Sequence, residues 1–229
     1  MKKREAKRRR TAGFLALVLL AGALLWKVFH TLPAMAKEGA LLKEEKGVVA
    51  LTFDDGPHPR YTPLLLDGLK KRGVKASFFV TGKNAEQYPE LIRRMDKEGH
   101  LIGNHTYSHL QLSEKNREQF REELVKTNGI LKEITGKDVE FVRPPYGSWD
   151  KNFEAELNMF PVLWNLDPLD WSSRNAQKVE KKVLAAVEDG SVILLHDEYA
   201  STVTAAFGIV DELRREGYRF VTVEELLFD

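Results

Sequence analysis

Residues 48–59 read VVALTFDDGPHP, an apolar β-type run that ends in two adjacent aspartates and a Gly-Pro break. Neighbouring side chains of a strand point to opposite faces, so Asp54 and Asp55 cannot do the same job. Two such carboxylates repel, and each is costly to bury without a cation or hydrogen-bond donors. A strand that ends this way needs compensating groups from elsewhere in the chain.

Outward from this run, short β-type stretches alternate with amphipathic ones. The strand candidates are 48–53, 75–81, 101–104, 140–143, 161–166, 191–195 and 219–223. The helical patterns lie at 62–71, 86–98, 114–134, 152–157, 176–188 and 205–215. Leu64, Leu65 and Leu69 keep helical spacing, and Gly73 closes that segment as a C-terminal stop. Pro89 falls near the start of its helix, where a missing N–H does least harm. Strands alternating with helices imply parallel pairing through right-handed crossovers. No glycine-rich dinucleotide turn follows the first strand, so the pattern favours an irregular (β/α) barrel of about seven parallel strands over an open doubly wound sheet.

The charge is unevenly spread. Residues 1–36 carry eight Lys or Arg and one Glu, which leaves 35 − 8 = 27 basic against 34 − 1 = 33 acidic residues for the rest. That part is net −6 and has no electrostatic footprint for nucleic acid. A basic stretch, MKKREAKRRR, precedes an apolar run from 13 to 26, with Lys27 and further apolar residues beyond. This reads as a targeting segment forming an N-terminal hydrophobic helix, its basic end on the cytoplasmic side. Cleavage after Ala36 would release a secreted chain. The preferred reading is an uncleaved anchor with Lys27 snorkelling, followed by a polar linker at 37–46 and one domain at 47–229. With no cysteine in the chain, any metal must sit on His, Asp or Glu.

The unusual polar residues fall at strand ends: Asp54 and Asp55, His105, Arg143, Asp167 and Asp170, then His196 and Asp197. Parallel β/α folds gather the C-terminal ends of their strands on one face, where ligands bind. A lone Asp at a strand end is ordinarily a turn or cap; five strand ends converging are not explained that way. His105 and His109 stand four apart, and a helical turn there would put both imidazoles on one face. With Asp55 they make a His₂-carboxylate set, for which zinc is the default and Co²⁺, Mn²⁺ or Ni²⁺ alternatives. His100 precedes its strand and is assigned a structural role at the opposite end, His58 a role in loop geometry, and His30 belongs to the membrane-proximal segment.

These residues resemble the polysaccharide deacetylases of the NodB-homology type, carbohydrate esterase family 4. Five motifs occur in order: TFDDGP at 52–57, HTYSH at 105–109, RPPYG at 143–147, DPLDW at 167–171 and LLHD at 194–197. The resemblance spans Gly47 to the C-terminus and is most similar to bacterial peptidoglycan N-acetylglucosamine deacetylases. It implies an irregular (β/α) barrel, with Asp55, His105 and His109 as metal ligands, Asp54 as general base and His196 as general acid. It further implies that Arg143 holds the base, and that Asp170 pairs with this Arg and tunes His196. The N–H of Tyr146 would help form an oxyanion hole, while Pro145, Trp171 and Leu194 shape the substrate groove. Pro168 departs from the Ser or Thr of many members without removing a chemical group.

The expected activity is metal-dependent removal of N-acetyl groups from a cell-wall glycan by a monomer outside the cytoplasm, held to the membrane by its N-terminal segment. Chitin oligomers, exopolysaccharide or acetylxylan are alternative substrates, and N-acetylmuramic acid an alternative target sugar. A rival of another class, an inactive glycan-binding module, would be expected to lack the base, the acid or a metal ligand; none is missing.

Overall fold

The computed structural model describes residues 45–228. The expected anchor at 1–36 and all but the last two residues of the linker lie outside them. None of the described helices is long and apolar enough to cross a membrane.

Seven parallel strands form one curled sheet: β1 (Gly47–Asp54), β2 (Ser77–Val80), β3 (Leu101–Asn104), β4 (Phe141–Val142), β5 (Phe160–Pro161), β6 (Ser191–His196) and β7 (Tyr218–Val221). Their order is β5-β4-β3-β2-β1-β6, with β7 paired to the first half of β1. The helices are α1 (Tyr61–Arg72), α2 (Gly82–Gln87), α3 (Pro89–Lys97), α4 (Arg117–Thr135), α5 (Asn152–Leu157), α6 (Asp170–Ser173), α7 (Ala176–Ala186), α8 (Ala200–Glu216) and α9 (Val223–Phe228).

β1 is buried on both faces from Val49 to Asp54, as a central strand of a sheet covered on both sides must be. Val49, Leu51 and Phe53 pack outward with Leu65, Leu66 and Leu69 of α1 and with Val203, Ile209 and Leu213 of α8. Ala50 packs in a separate inner cluster with Phe79, Phe141, Val162 and Val223. By the same alternation Thr52 and Asp54 face inward. Each large side chain fully withdrawn from water here contributes about 1.5–3 kcal/mol.

The expected strand at 161–166 is divided. Phe160 and Val162 bond to β4, whereas Leu166 bridges to Ile193 of β6 and accepts the Leu194 N–H at 2.9 Å. The turn of the chain between these contacts brings the two edges of the sheet together and makes the barrel irregular.

The expected helix at 86–98 is also split. Pro89 supplies no N–H, and the residue before a proline is driven out of the α region. Tyr88 takes φ −130°, ψ 57° and separates α2 from α3. α1 ends as expected at Gly73, whose φ of 63° suits a residue without Cβ. The final expected strand stops at Val221, and Val223 instead begins α9.

Candidate active site

The aspartate doublet is separated by the backbone. Asp54 ends β1 in register with His196 of β6 and is 3 % exposed. Its Oδ1 accepts a hydrogen bond from Arg143 Nη1 at 2.8 Å. Arg143 is fully buried, and its other donors reach Thr52 Oγ1 (2.6 Å), Val162 O (3.0 Å) and Leu163 O (3.4 Å). The guanidinium lies on the ring of Phe79, 4.2 Å from its centroid. Asp54 Oδ2 takes no part in the Arg143 bond and lies 3.8 Å from His105 Nε2.

Asp55 leaves the strand with φ 72°, in the left-handed region that Asp tolerates better than most residues. Its carbonyl is held by Asn84 Nδ2 at 2.8 Å, and its Oδ1 stands 3.4 Å from both His105 Nε2 and His109 Nε2. Gly56 is required beside it, because a Cβ there would collide with the carboxyl of Asp197. Asp197 is wholly buried, accepts from the Thr62 hydroxyl, and is pushed up to about 7 chiefly by burial.

The two histidines meet without a helical turn, contrary to the spacing argument. The 105–109 segment is a loop in which Thr106 (φ 62°) and His109 (φ 61°) are left-handed. Glu123 of α4 holds this loop: it accepts the N–H groups of Tyr107 (3.1 Å) and Ser108 (2.9 Å) and the Ser108 hydroxyl (2.6 Å). Asn104 accepts the Thr106 N–H at 2.8 Å. His105 Nδ1 lies 2.6 Å from the Arg143 carbonyl, an acceptor only, so this nitrogen carries the proton. The Nε2 lone pair is thereby left facing Asp55. Burial lowers the His109 pKa, aided by His105 and opposed by Asp55. Burial alone would raise Asp55, but the two histidines outweigh it and its pKa is lowered.

The ligand atoms of Asp55, His105 and His109 all lie within 4.8 Å of one another. Asp55 Oδ1 is buried and has no hydrogen-bond partner, the situation a cation would relieve. Two neutral imidazoles and one carboxylate suit a borderline divalent ion, so the residues fit the expected metal.

His196 ends β6 on the other wall. Its Nδ1 and its N–H lie 2.9 Å from the two oxygens of Asp170, the buried first residue of α6, and Thr202 donates to that carboxylate at 2.7 Å. Burial works against the imidazolium, but Asp170, with Asp54 and Asp55 beyond it, pushes the pKa of His196 up to about 9. The expected pair between Asp170 and Arg143 is not formed. Asp170 is spent on His196 and Thr202, while Arg143 is spent on Asp54, Thr52 and two carbonyls.

Tyr146 (φ 58°) sits in a 3₁₀ turn at Pro145–Gly147, its ring 5.0 Å from that of His109. Trp171 is half exposed, Pro145 is buried, and Leu194 is covered beneath the rim. Tyr146, Leu163 and Leu169, on the connections after β4 and β5, and Trp171 of α6 are all exposed apolar side chains. Asp167 only braces a turn, through the Leu169 N–H at 2.8 Å. His100 accepts the Ala76 N–H through Nδ1, before β2 begins, and burial lowers it to about 4, as a structural histidine requires. His58 Nδ1 accepts the N–H groups of Arg60 and Tyr61 in its own loop. Five of the seven described non-glycine residues in the left-handed region, Asp55, Thr106, His109, Tyr146 and Leu169, belong to the loops of this rim, so backbone strain is concentrated at the site. Glu123, Asn84 and Thr202 support the site without any motif in the sequence to announce them.

A family model described as polysaccharide deacetylase matches residues 42–162. The peptidoglycan-N-acetylglucosamine deacetylase of Bacillus cereus is 42% identical over 188 residues, covering 79% of this chain and 68% of that protein. The peptidoglycan-N-acetylmuramic acid deacetylase PdaC of Bacillus subtilis is 39% identical over 197 residues, 86% of this chain but only 42% of its own length. Among solved structures, a family 4 acetyl xylan esterase from Clostridium thermocellum in complex with a cobalt ion superposes with a TM-score of 0.73 at 36% identity, over 78% of this chain and 89% of that one.

Proposed function

The chain belongs to the polysaccharide deacetylase family, and from that premise we propose that it removes acetyl groups from N-acetylglucosamine residues of peptidoglycan, releasing acetate and leaving a free amine. The observation that carries this reading is the division of the β1 doublet. One carboxylate is bound by a buried guanidinium with an oxygen to spare, and the other is aimed at two imidazoles.

Asp55, His105 and His109 would hold one divalent ion, zinc by default. When bound, it polarises the amide carbonyl and lowers the pKa of water. Asp54 takes the proton of the attacking water on Oδ2, since Oδ1 is engaged by Arg143. Arg143 keeps that carboxylate fixed in a buried position. The backbone N–H of Tyr146 donates to the oxygen on which charge develops. His196 is protonated at neutral pH and faces the rim from the wall opposite the histidine loop. It gives its proton to the departing sugar nitrogen as the C–N bond breaks, and Asp170 stabilises the imidazolium until then. Water adds its oxygen to the acyl carbon, so the products are acetate and amine.

The basic and apolar N-terminal sequence supports action outside the cytoplasm from a membrane anchor. The test is acetate release from peptidoglycan, chitin oligomers and acetylxylan, with and without a chelator. Chelator-sensitive release from peptidoglycan is expected; binding of metal and glycan with no release from any of the three would sink the enzyme reading.

A further inference from the structure

The rim of the site is two-sided. Toward β4 and β5 it is apolar, formed by Tyr146, Leu163, Leu169 and Trp171, and suits the flat faces of sugar rings. Toward β2 and β3 a cavity of about 290 Å³ opens directly beside Asp55 and His109, and its lining is polar. Most donors on that side are already used. Asn84 Nδ2 is bound to the Asp55 carbonyl, the Tyr107 hydroxyl to Glu86 (2.8 Å), and the Ser108 hydroxyl to Glu123.

Lys83 differs from these neighbours. Its backbone is fixed by a 3.0 Å bond from its N–H to the Tyr107 carbonyl in the histidine loop. Its side chain is exposed, lines the cavity, and its ammonium has no ion pair or hydrogen bond among the described residues. Among those residues it is the one Lys or Arg lining the cavity that adjoins the ligand set. Glu198, the other charged residue of that lining besides Asp55, is half-buried, and burial, then Asp55, raise its pKa.

We propose that Lys83 is a specificity-determining residue that reads a carboxylate on the glycan, namely the lactyl carboxylate of a muramic acid. This rests on the peptidoglycan reading above and deepens it. A neutral glycan such as chitin offers nothing for this ammonium, whereas a strand whose muramic acids carry no stem peptide presents a free lactyl carboxylate on alternate sugars. The contact is solvent-accessible, so its worth is that of one exposed charge pair, about fivefold in kcat/KM. It acts mainly through KM, since the ammonium meets a substituent of the glycan that is unchanged in the reaction.

The test uses the full chain and two matched oligosaccharides: a stem-free glycan strand with free lactyl carboxylates, and the same strand with those carboxylates reduced to alcohols. Acetate release should favour the acidic strand by about fivefold in the wild type, and added salt at about 0.5 M should diminish that ratio. Lys83→Gln should abolish the preference through KM, and Lys83→Arg should keep it. An equal kcat/KM for the two strands in the wild type, or a preference that survives in Lys83→Gln, would overturn the assignment. Acetate release from neither strand, or from chitin oligomers alone, would defeat the peptidoglycan reading itself and the Lys83 assignment with it.

Discussion

Replacing Arg143 by Met tests whether the base carboxylate depends on a buried counter-ion. Arg143 is fully buried and Asp54 is 3 % exposed, so truncation strands an ionised carboxyl in the barrel. Breaking one partner out of such a pair costs about 3–5 kcal/mol. The Val162 and Leu163 carbonyls each lose a donor, whereas Thr52 remains bonded to the Ile193 carbonyl at 2.7 Å. For a domain of this size the loss corresponds to a fall of roughly 10 °C in Tm. The second arm adds Asp54→Asn to the Arg143→Met variant, which removes the stranded charge. It should restore about 2 kcal/mol or more, a coupling that separates the pair from general core damage. Urea unfolding followed by circular dichroism, in the presence of a chelator so that no cation replaces the guanidinium, gives all four corners of the cycle. A loss below about 1 kcal/mol for Arg143→Met, or strictly additive losses in the double variant, would refute the reasoning.

Two further outcomes follow from the site. Glu123→Ala removes three of the bonds that brace the histidine loop, those to Tyr107 and Ser108, and should weaken zinc affinity by about tenfold to a hundredfold in a chelator competition; an unchanged affinity would show that the loop holds His109 without it. His196 is acid-competent below a pKa raised to about 9, so kcat/KM should fall as pH rises through an alkaline limb at or below that value, the bound cation moving it downward. Asp170→Asn removes the charge that raises this pKa, so the limb should shift to lower pH; an unmoved limb would mean that another group is the acid.

The barrel was legible because its strands are short, apolar and regularly spaced, and because parallel topology puts their ends on one face. What the sequence hid was local backbone geometry. Nothing in HTYSH announces that Thr106 and His109 are left-handed, so a four-residue spacing suggested a helical turn where a loop does the work. Glu123 lies within a charged helix, REQFREELVK, where one acid among several carries no signal; only its three bonds across to the loop distinguish it. The motifs gathered Arg143 and Asp170 to one site and gave each its main partner, Asp54 and His196, but the further pair expected between the two is not formed, since an arginine near two carboxylates can satisfy either. The divided strand at 161–166 was invisible for a similar reason: a continuous β-type run does not reveal that its two halves bond to opposite edges of the sheet.

The central claim is that Asp54 and Asp55 divide the work between base and ligand. Zinc titration and acetate release, measured side by side on Asp54→Asn and Asp55→Ala, test it most directly. Asp54→Asn should bind zinc close to the wild-type affinity while turnover falls by about 10²–10⁴-fold. Asp55→Ala should lose zinc affinity and activity together. Loss of zinc by Asp54→Asn with retention by Asp55→Ala would contradict the account.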